Sequence, residues 1–131
     1  MELIYALSNH LPFADVKNQA GNFVKPSLES VTAAAAGYAA RMPADFRVVI
    51  TNAPGKDAYP ISGMTWLLVY QKQKSPEKGK KLVEFIDWML HKGQTYTTSL
   101  DYAPLPEAVV TKELQQLRTV TTMDGKPLLA K

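Results

Sequence analysis

The sequence predicts an α/β fold in which a sheet is flanked by helices. Two apolar segments, Phe46–Thr51 and Met64–Gln71, have the length and the β-branched or aromatic content of strands buried on both faces. Two further segments, Ser75–Gly93 and Pro106–Leu117, repeat apolar residues at the spacing of one helix face. Because an amphipathic helix must cover another layer to bury that face, the alternation of strand and helix indicates a layered structure.

Composition limits the chain to one modest core. It has 131 residues, of which 46% are hydrophobic, and a net charge of +3. This charge is too small to indicate nucleic acid as a partner. The absence of cysteine excludes disulfides, thiol nucleophiles and cysteine metal sites. Residues 1–11 lack the pattern of a secretory signal, and the longest apolar run, Trp66–Tyr70, is too short to span a bilayer, so we expect the chain as written to stay soluble in the cytoplasm.

The first part of the chain predicts a short helix and a hairpin. Glu2–Ser8 places apolar residues on one side of a helix that ends before Pro12. Phe13–Lys17 and Asn22–Lys25 flank the turn-like tetrad Asn18–Gly21. Because the glycine accepts a positive φ, these segments predict a small hairpin.

The next helix is rich in alanine. Ser27 can cap it, but Ser30 rather than Glu or Gln stands three residues on, so we expect no full capping box. The alanines at 33–36 give high helix propensity and short side chains for close packing. Gly37 weakens the helix and Pro43 ends it.

The two predicted strands are separated by a loop. The turn signal Pro54-Gly55 lies within this loop, Asn52–Pro60. Phe46–Thr51 alternates poorly and is expected to be buried on both faces. Trp66–Tyr70 is apolar on both faces, so we place Met64–Gln71 at the centre of the sheet rather than at an edge.

The long helix after the second strand has clear start and stop signals. Ser75 can cap its first turn, Pro76 suits the first helical position, and Gly93 suits the position after its last turn. The indoles of Trp66 and Trp88 are expected in the core. The predicted buried face of the helix consists of Leu82, Phe85, Ile86, Met89 and Leu90.

Beyond this helix we expect a helical turn at Gln94–Leu100, an irregular link at Asp101–Pro104 and a last amphipathic helix at Pro106–Leu117. The segment Thr119–Lys131 contains the turn signal Asp124-Gly125 and is expected to fray at its end. The inward positions of the last helix are Val109, Val110, Leu114 and Leu117.

No arrangement of residues in the sequence indicates catalysis. His10 and His91 are the only histidines and are too isolated for a metal cluster. Ser62, Thr65 and Ser99 have no neighbouring His–Asp arrangement, so no nucleophilic triad is visible. We therefore expect no enzyme, no cofactor, and no catalytic, cofactor-binding or metal-binding residue. Substrate-binding residues are left unassigned.

Two polar stretches each have a functional and a structural interpretation. The loop at Asn52–Ala58 is superficially like a phosphate loop, but it lacks the GxxxxGK[ST] spacing and a following helix, which favours a connecting turn. A basic cluster around the start of the long helix more often forms a solvated face than a site for an acidic partner. No aromatic residues interleave with it, which disfavours single-stranded nucleic acid. The cluster consists of Lys72, Lys74, Lys78, Lys80 and Lys81.

Three stretches carry a resemblance to a known family. KDAYPIS at 56–62, SPEKGKKLVEF at 75–85 and LDYAPLP at 100–106 resemble, in this order, the C-terminal part of periplasmic phosphate-binding proteins of ABC transporters. The resemblance implies a partial bilobed, type II periplasmic-binding-protein-like fold, in which phosphate is held between two α/β lobes. It places residues 1–60 at the end of the second lobe, and residues 61–131 as the return strand and C-terminal helices of the first.

The resemblance also carries expectations about function. None of the family's phosphate-holding motifs has a matching position, which implies a phosphate-transport component that binds inorganic phosphate only within a full-length protein. It further implies an ABC permease as partner and a periplasmic location. Two half-lobes would expose apolar surface, which favours a homo-oligomer or pairing with the missing half. The alternative is a stand-alone, non-enzymatic interaction module that self-associates or binds a protein partner.

Overall fold

The computed structural model describes residues 2–129, which form a mixed helical and sheet structure, in agreement with the predicted α/β class at that level. The end of the segment that we expected to fray, residues 130 and 131, lies outside the described residues. The elements are α1 Leu3–Ser8, β1 Val16–Lys17, β2 Phe23–Val24, α2 Leu28–Tyr38, a 3-10 turn Ala39–Arg41, β3 Lys72–Gln73, α3 Pro76–Trp88, a π turn Met89–Gly93, α4 Gln94–Thr97, a 3-10 turn Thr98–Leu100, α5 Glu107–Leu117 and β4 Thr121–Thr122.

The predicted hairpin is present in a short form. Strands β1 and β2 pair antiparallel, with Val16 opposite Val24 and Lys17 opposite Phe23. Gly21 takes a φ of +88° in the turn, a conformation that glycine adopts without a Cβ penalty. The turn residue Asn18 is buried, although its neighbours on both sides are exposed.

The N-terminus of α2 corrects one prediction. Ser27 Oγ accepts from the backbone N–H of Ser30 at 3.2 Å, and Ser30 Oγ accepts from the backbone N–H of Ser27 at 2.9 Å. This is a complete reciprocal capping box, which we did not expect. A hydroxyl at the third helical position replaces the Glu or Gln because its short side chain still reaches back to the cap.

Helix α2 packs closely against the loop that follows residue 51. Ala34 is fully buried against Ala53 and Ala58, with Tyr38 partly covering them. A Cβ placed on Gly37 would collide with the backbone carbonyl oxygen of Pro54. The glycine that weakens the helix on propensity grounds is therefore the residue that permits this approach.

The predicted strand Phe46–Thr51 does not form in the described chain. Phe46 takes a φ of +57°, and the segment belongs to neither of the two sheets. Ile50 is buried, but its neighbour Val49 is 71% exposed. The prediction of burial on both faces is wrong because the described residues supply no strand beside this segment and no layer over its second side.

The predicted central strand Met64–Gln71 does not form in the described chain. The strand found nearby, β3, begins one residue beyond that range, and its residues Lys72 and Gln73 pair parallel with Thr121 and Thr122. Leu68 is 97% exposed. The apolar pattern of this segment is compatible with burial on both faces. In the described structure, however, the rest of the chain packs over only some of its side chains.

Helix α3 begins as predicted, with the Ser75 side chain accepting from the N–H of Lys78 at 3.4 Å and proline at its first position. Its buried side differs from the prediction. Val83 is fully buried and Gly79 is buried, whereas Phe85 is 56% exposed. The side of α3 that faces the core, marked by Gly79 and Val83, is therefore not the side that carries most of the large apolar residues. Leu90 is buried as predicted, Ile86 is partly buried, and Leu82 and both predicted core indoles, Trp66 and Trp88, are exposed.

The helical stretch does not stop at Gly93. That residue has a φ of −58° and continues from the π turn into α4. Without a Cβ it lets the indole of Trp88 lie close to the backbone. The stretch ends at Asp101, which takes a left-handed φ of +57°, the conformation typical of the terminal position that we had assigned to Gly93.

The core is divided among three small clusters, and α5 joins two of them. As predicted, Val109 and Leu117 of α5 are buried, while Val110 and Leu114 are partly buried. Leu117 packs with Val83. Val109 packs with Met42 and Ala39 after α2. In the part of the chain that the structure describes, no helix has both the length and the apolar character needed to cross a bilayer.

Candidate functional site

The loop considered as a phosphate loop is held by its own chain. The side-chain amide of Asn18 donates to the carbonyl oxygens of Gly55, Lys56 and Ala58 at 3.1, 2.9 and 3.1 Å. Within the loop, the N–H of Asn52 donates to the carbonyl of Pro60 at 2.8 Å. No helix begins within the dozen residues after this loop. The geometry therefore supports the connecting-turn interpretation, since a phosphate loop presents free N–H groups at a helix N-terminus.

A cleft of about 440 Å³ lies beside this loop, between the hairpin turn and the end of α2. Its charged group is the guanidinium of Arg41, which is exposed. The lining residues are Gln19, Ala20, Tyr38, Arg41, Pro54 and Gly55. One solvated cation without converging donors has the character of ordinary surface, not of an oxyanion site.

The basic cluster lies on exposed surface. Lys81 is 3.1 Å from Glu77, and Lys80 is 3.8 Å from Glu84, both one helical turn apart on α3. Such exposed pairs contribute only about 0.3–0.5 kcal/mol each. The arrangement agrees with a solvated helix face.

Three of the side chains weighed for chemistry, those of His91, Ser62 and Ser99, are engaged with nearby backbone. His91 Nδ1 lies 2.9 Å from the carbonyl oxygen of Asp87 on an exposed turn. Ser62 Oγ donates to the carbonyl of Tyr59 at 2.8 Å, and Ser99 Oγ donates to that of Tyr96 at the same distance. Within residues 2–129, no group of three or more potential metal ligands is found.

Four carboxyl groups among the described residues have shifted pKa values, and two of them, those of Asp45 and Glu113, are shifted for different reasons. The Arg47 side chain, which donates to Asp45 Oδ2 at 2.7 Å, lowers the pKa of the Asp45 carboxyl. Burial raises the pKa of the Glu113 carboxyl, on α5, above its ordinary value of 4.5.

The most distinctive surface is apolar, and sequence reasoning placed its residues in the core. We call residues 64–70 the open strand segment. Within residues 2–129, no backbone–backbone hydrogen bond joins this segment to another part of the chain. The side chains of Leu67, Leu68 and Tyr70 are 66%, 97% and 86% exposed. The indole N–H of Trp66 donates to the carbonyl of Phe46 at 2.8 Å. This bond links the open strand segment to Phe46–Thr51, the other predicted strand that does not form.

A second exposed apolar feature runs along α3 and α4. Phe85 stacks on Trp88 with 5.9 Å between ring centroids, and Trp88 lies 6.2 Å from Tyr96. We call these three side chains the aromatic ridge. Each is about half exposed, so the ridge presents aromatic surface to solvent instead of filling a core.

Comparison with known proteins finds relatives that match most of this chain. The chain is 38% identical over 129 residues to the phosphate-binding protein PstS of Pasteurella multocida. The matched region makes up 98% of this chain and 38% of that relative. The chain is homologous to part of PstS. PstS of Haemophilus influenzae is 37% identical over 119 residues, 91% of this chain and 36% of the relative. PstS of Methanocaldococcus jannaschii is 38% identical over 120 residues, 82% of this chain and 31% of the relative. No protein-family model matches the chain.

The chain therefore spans about a third of the length of these PstS relatives. The comparison agrees with the resemblance found in KDAYPIS, SPEKGKKLVEF and LDYAPLP, and with a C-terminal portion of PstS. The relatives are named as binding proteins. Along the chain, the first motif ends two residues before the open strand segment begins, and the second motif begins five residues after the segment ends.

Proposed function

We propose that this chain is the C-terminal portion of the phosphate-binding component of an ABC-type phosphate transport system. The observation that carries the proposal is the similarity to PstS over 98% of this chain. By extension from the family, the whole protein works in the periplasm and delivers inorganic phosphate to an ABC permease. Residues 1–60 belong to the end of one lobe, and residues 61–131 return to the other.

The second part of the proposal is that this portion does not hold phosphate by itself. Oxyanion sites in proteins are built from free N–H and hydroxyl donors that converge on one point. The hydroxyls of Ser62 and Ser99 already donate to backbone carbonyls, and the N–H groups of Asn52 and Ala58 in the loop Asn52–Pro60 donate to carbonyls of the same loop. The larger share of the length of each PstS relative lies outside the matched region, and we place the phosphate-holding groups there.

A calorimetric titration tests both parts. The chain alone is titrated with phosphate and with sulfate as control. A chimera is titrated in the same way, made of the Pasteurella multocida PstS residues that precede the matched region, followed by this chain. We expect no heat of binding from the folded chain alone and selective phosphate binding by the chimera. Selective micromolar or tighter binding by the chain alone contradicts the second part, and a folded chimera without phosphate binding contradicts the first.

The alternative is a stand-alone, non-enzymatic interaction module. The open strand segment and the aromatic ridge favour it, because exposed apolar surface of this kind marks interaction sites. This module would self-associate or bind a protein partner without any need for further PstS sequence. The chimera distinguishes the two functions, since a stand-alone module gains no phosphate affinity from the added residues.

A further inference from the structure

We propose that Asp124 is a site of spontaneous covalent modification, at which aspartate isomerises to isoaspartate, and that the hydroxyl group of Thr122 restrains this reaction in the folded protein. The site lies in the turn at residues 122–126, which follows β4. The inference goes beyond the proposed function, since it requires neither phosphate nor any further polypeptide.

The reaction joins the side chain of an aspartate to the backbone of the next residue. The nitrogen of Gly125 attacks Cγ of the Asp124 carboxyl group, a C–N bond forms, and the carboxyl O–H group leaves with the amide hydrogen as water. A water molecule then opens the cyclic imide. Addition at the backbone carbonyl gives isoaspartate, and addition at the side-chain carbonyl restores aspartate. Atoms and charge therefore balance without an oxidant or another reactant.

The sequence selects Asp124 among all candidate positions. The chain has six aspartates and four asparagines, and Asp124 is the only one of them that glycine follows. A side chain on the following residue crowds the attacking nitrogen, whereas glycine leaves it open and allows the backbone to rotate. Asp124 and Gly125 are both exposed, so water reaches the imide.

The folded turn holds both reacting groups away from each other. Thr122 Oγ1 donates to Asp124 Oδ1, and Lys126 Nζ lies 3.0 Å from Asp124 Oδ2. The N–H of Gly125 donates to the carbonyl oxygen of Thr122 at 3.1 Å. Ring closure therefore requires the carboxyl group to leave both of its partners and the Gly125 nitrogen to leave its acceptor.

Thr122 is itself firmly placed, which makes it an effective restraint. It is buried, its N–H donates to the carbonyl of Lys126 at 2.9 Å, and its Oγ1 accepts from the N–H of Lys126 at 2.9 Å. The bond from Thr122, followed by the contact with Lys126, lowers the pKa of the Asp124 carboxyl. The group is thus kept ionised, and a carboxylate is a weaker electrophile than a carboxylic acid.

Isomerisation would lengthen the main chain within the turn by one carbon atom. The present spacing sets the bonds between Thr122 and Lys126 and the bond from the N–H of Leu128 to the carbonyl of Val120 at 3.3 Å. Leu128 is buried in the cluster that contains Val83. We therefore expect the isoaspartyl form, isolated after ageing, to melt below the aspartyl form. Equal melting temperatures would contradict this consequence.

The experiment ages the chain at pH 7 for several weeks, both folded and in urea. Peptide mapping follows isoaspartate at residue 124, because the two isomeric peptides have equal mass but separate on chromatography. The test variant is Thr122→Val, which keeps the shape of the side chain without its hydroxyl, and the control is Thr121→Val on the same strand. Far-UV circular dichroism checks that each variant is folded.

We expect isoaspartate to form faster in urea than in the folded chain. In the folded state, we expect Thr122→Val to form it about 10-fold faster than the unchanged chain or Thr121→Val, the effect of losing one hydrogen bond to a charged group. A second variant, Lys126→Met, removes an exposed ammonium group and should leave the fold intact. Its rate should rise by only about 2-fold to 5-fold.

Each outcome bears on the proposal. Absence of isoaspartate at residue 124 in urea overturns the site, and equal rates in urea and in the folded chain overturn the restraint. A folded Thr122→Val chain that ages like Thr121→Val overturns the role of the hydroxyl. If Thr122→Val does not fold, the urea comparison and Lys126→Met decide. Isoaspartate at Asp57, which is exposed and precedes alanine, at the same rate as at Asp124 overturns the selection by glycine.

Discussion

At the scale of the residue, one buried side chain holds two distant segments together. Asn18 uses its amide N–H groups for three loop carbonyls, and its Oδ1 accepts from the N–H of Asn22 at 3.1 Å. The amide has two N–H groups for three carbonyl oxygens, so at least one N–H group donates to two oxygens at once. Because the site is buried, water does not readily replace these bonds when the side chain is lost.

Replacing Asn18 by alanine should therefore destabilise the protein by about 1–3 kcal/mol, the cost of leaving the buried carbonyl of Ala58 and the part-buried carbonyls of Gly55 and Lys56 without this partner. The measurement is urea unfolding followed by far-UV circular dichroism. Asn9→Ala is the matched control, since the Asn9 amide makes a single exposed bond to the carbonyl of Tyr5 at 2.9 Å. Equal effects of the two substitutions would contradict the role of Asn18 as an anchor.

Glu113 gives a pH-dependent prediction. Its pKa in the folded protein is raised by burial above the ordinary value of 4.5. The folded state therefore holds the proton more tightly than the unfolded state, and stability declines as the pH rises from the unfolded value through the folded value. Glu113→Gln should raise the melting temperature at pH 7, and this gain should shrink as the pH falls from the raised folded pKa of Glu113 through 4.5, and vanish at lower pH.

Thermal unfolding at several pH values tests this expectation. Glu107→Gln is the control, because Glu107 is an exposed residue in the first turn of the same helix. A gain for Glu113→Gln that is independent of pH would mean that shape, and not ionisation, is responsible.

At the scale of the element, helices and strands differed in how far the sequence predicted them. The helices at Leu28–Tyr38, Pro76–Trp88 and Glu107–Leu117 were found where propensity, caps and periodicity placed them. These signals act within a few residues of each other. A strand is completed by partners that are distant in sequence, and Met64–Gln71 has almost none among residues 2–129. The same apolar pattern that predicts a central strand therefore becomes an exposed segment.

The candidate surface was unpredictable for the same reason. No residue in Trp66–Tyr70 signals exposure, and the pattern indicates the opposite. The paired strand β4 at Thr121–Thr122 was also missed, because two threonines followed by a turn carry little apolar signal. The turn at Asp124-Gly125 was predicted, and Gly125 has the expected positive φ of +83°.

Helix-to-loop packing gives a prediction at this scale. Gly37→Ala should destabilise the protein by about 1–3 kcal/mol, although alanine raises helix propensity, because its Cβ would meet the carbonyl oxygen of Pro54. Gly63→Ala is the control, since nothing lies within 4 Å of a Cβ at that position. Denaturant unfolding should show a loss for the first and little change for the second. A gain in stability for Gly37→Ala would contradict the close approach.

At the scale of the whole molecule, the interior is dispersed. Among the described residues, the largest side chains that are fully buried are Ile50, Val83 and Val109, and the core falls into three clusters of small or medium residues. We expect the helices of such an arrangement to resist local unfolding better than its extended segments, because the extended segments have few buried contacts.

Hydrogen exchange should show this division directly. In the isolated chain, we expect amides of residues 64–70 to exchange within about 10-fold of their unprotected rates, and the amides of Val83 and Val109 to be slowed by about 100-fold or more. In the phosphate-binding chimera, residues 64–70 should become protected as well. Protection of these residues in a monomeric isolated chain would contradict the open strand segment.

Two exposed lysines after the open strand segment, Lys72 and Lys74, favour the solubility of the chain. Apolar, β-prone stretches of five to seven residues without charge or proline are the segments from which cross-β aggregates grow, and Trp66–Gln71 has this composition. Lys72 and Lys74 directly follow it and are exposed, so their like charges oppose the stacking of one copy on the next. Salt screens such repulsion over about 10 Å at 0.1 M and about 3 Å at 1 M. In the isolated chain, we therefore expect electrostatic repulsion between these lysines to oppose fibre growth, so that the chain aggregates and scatters light as the ionic strength rises.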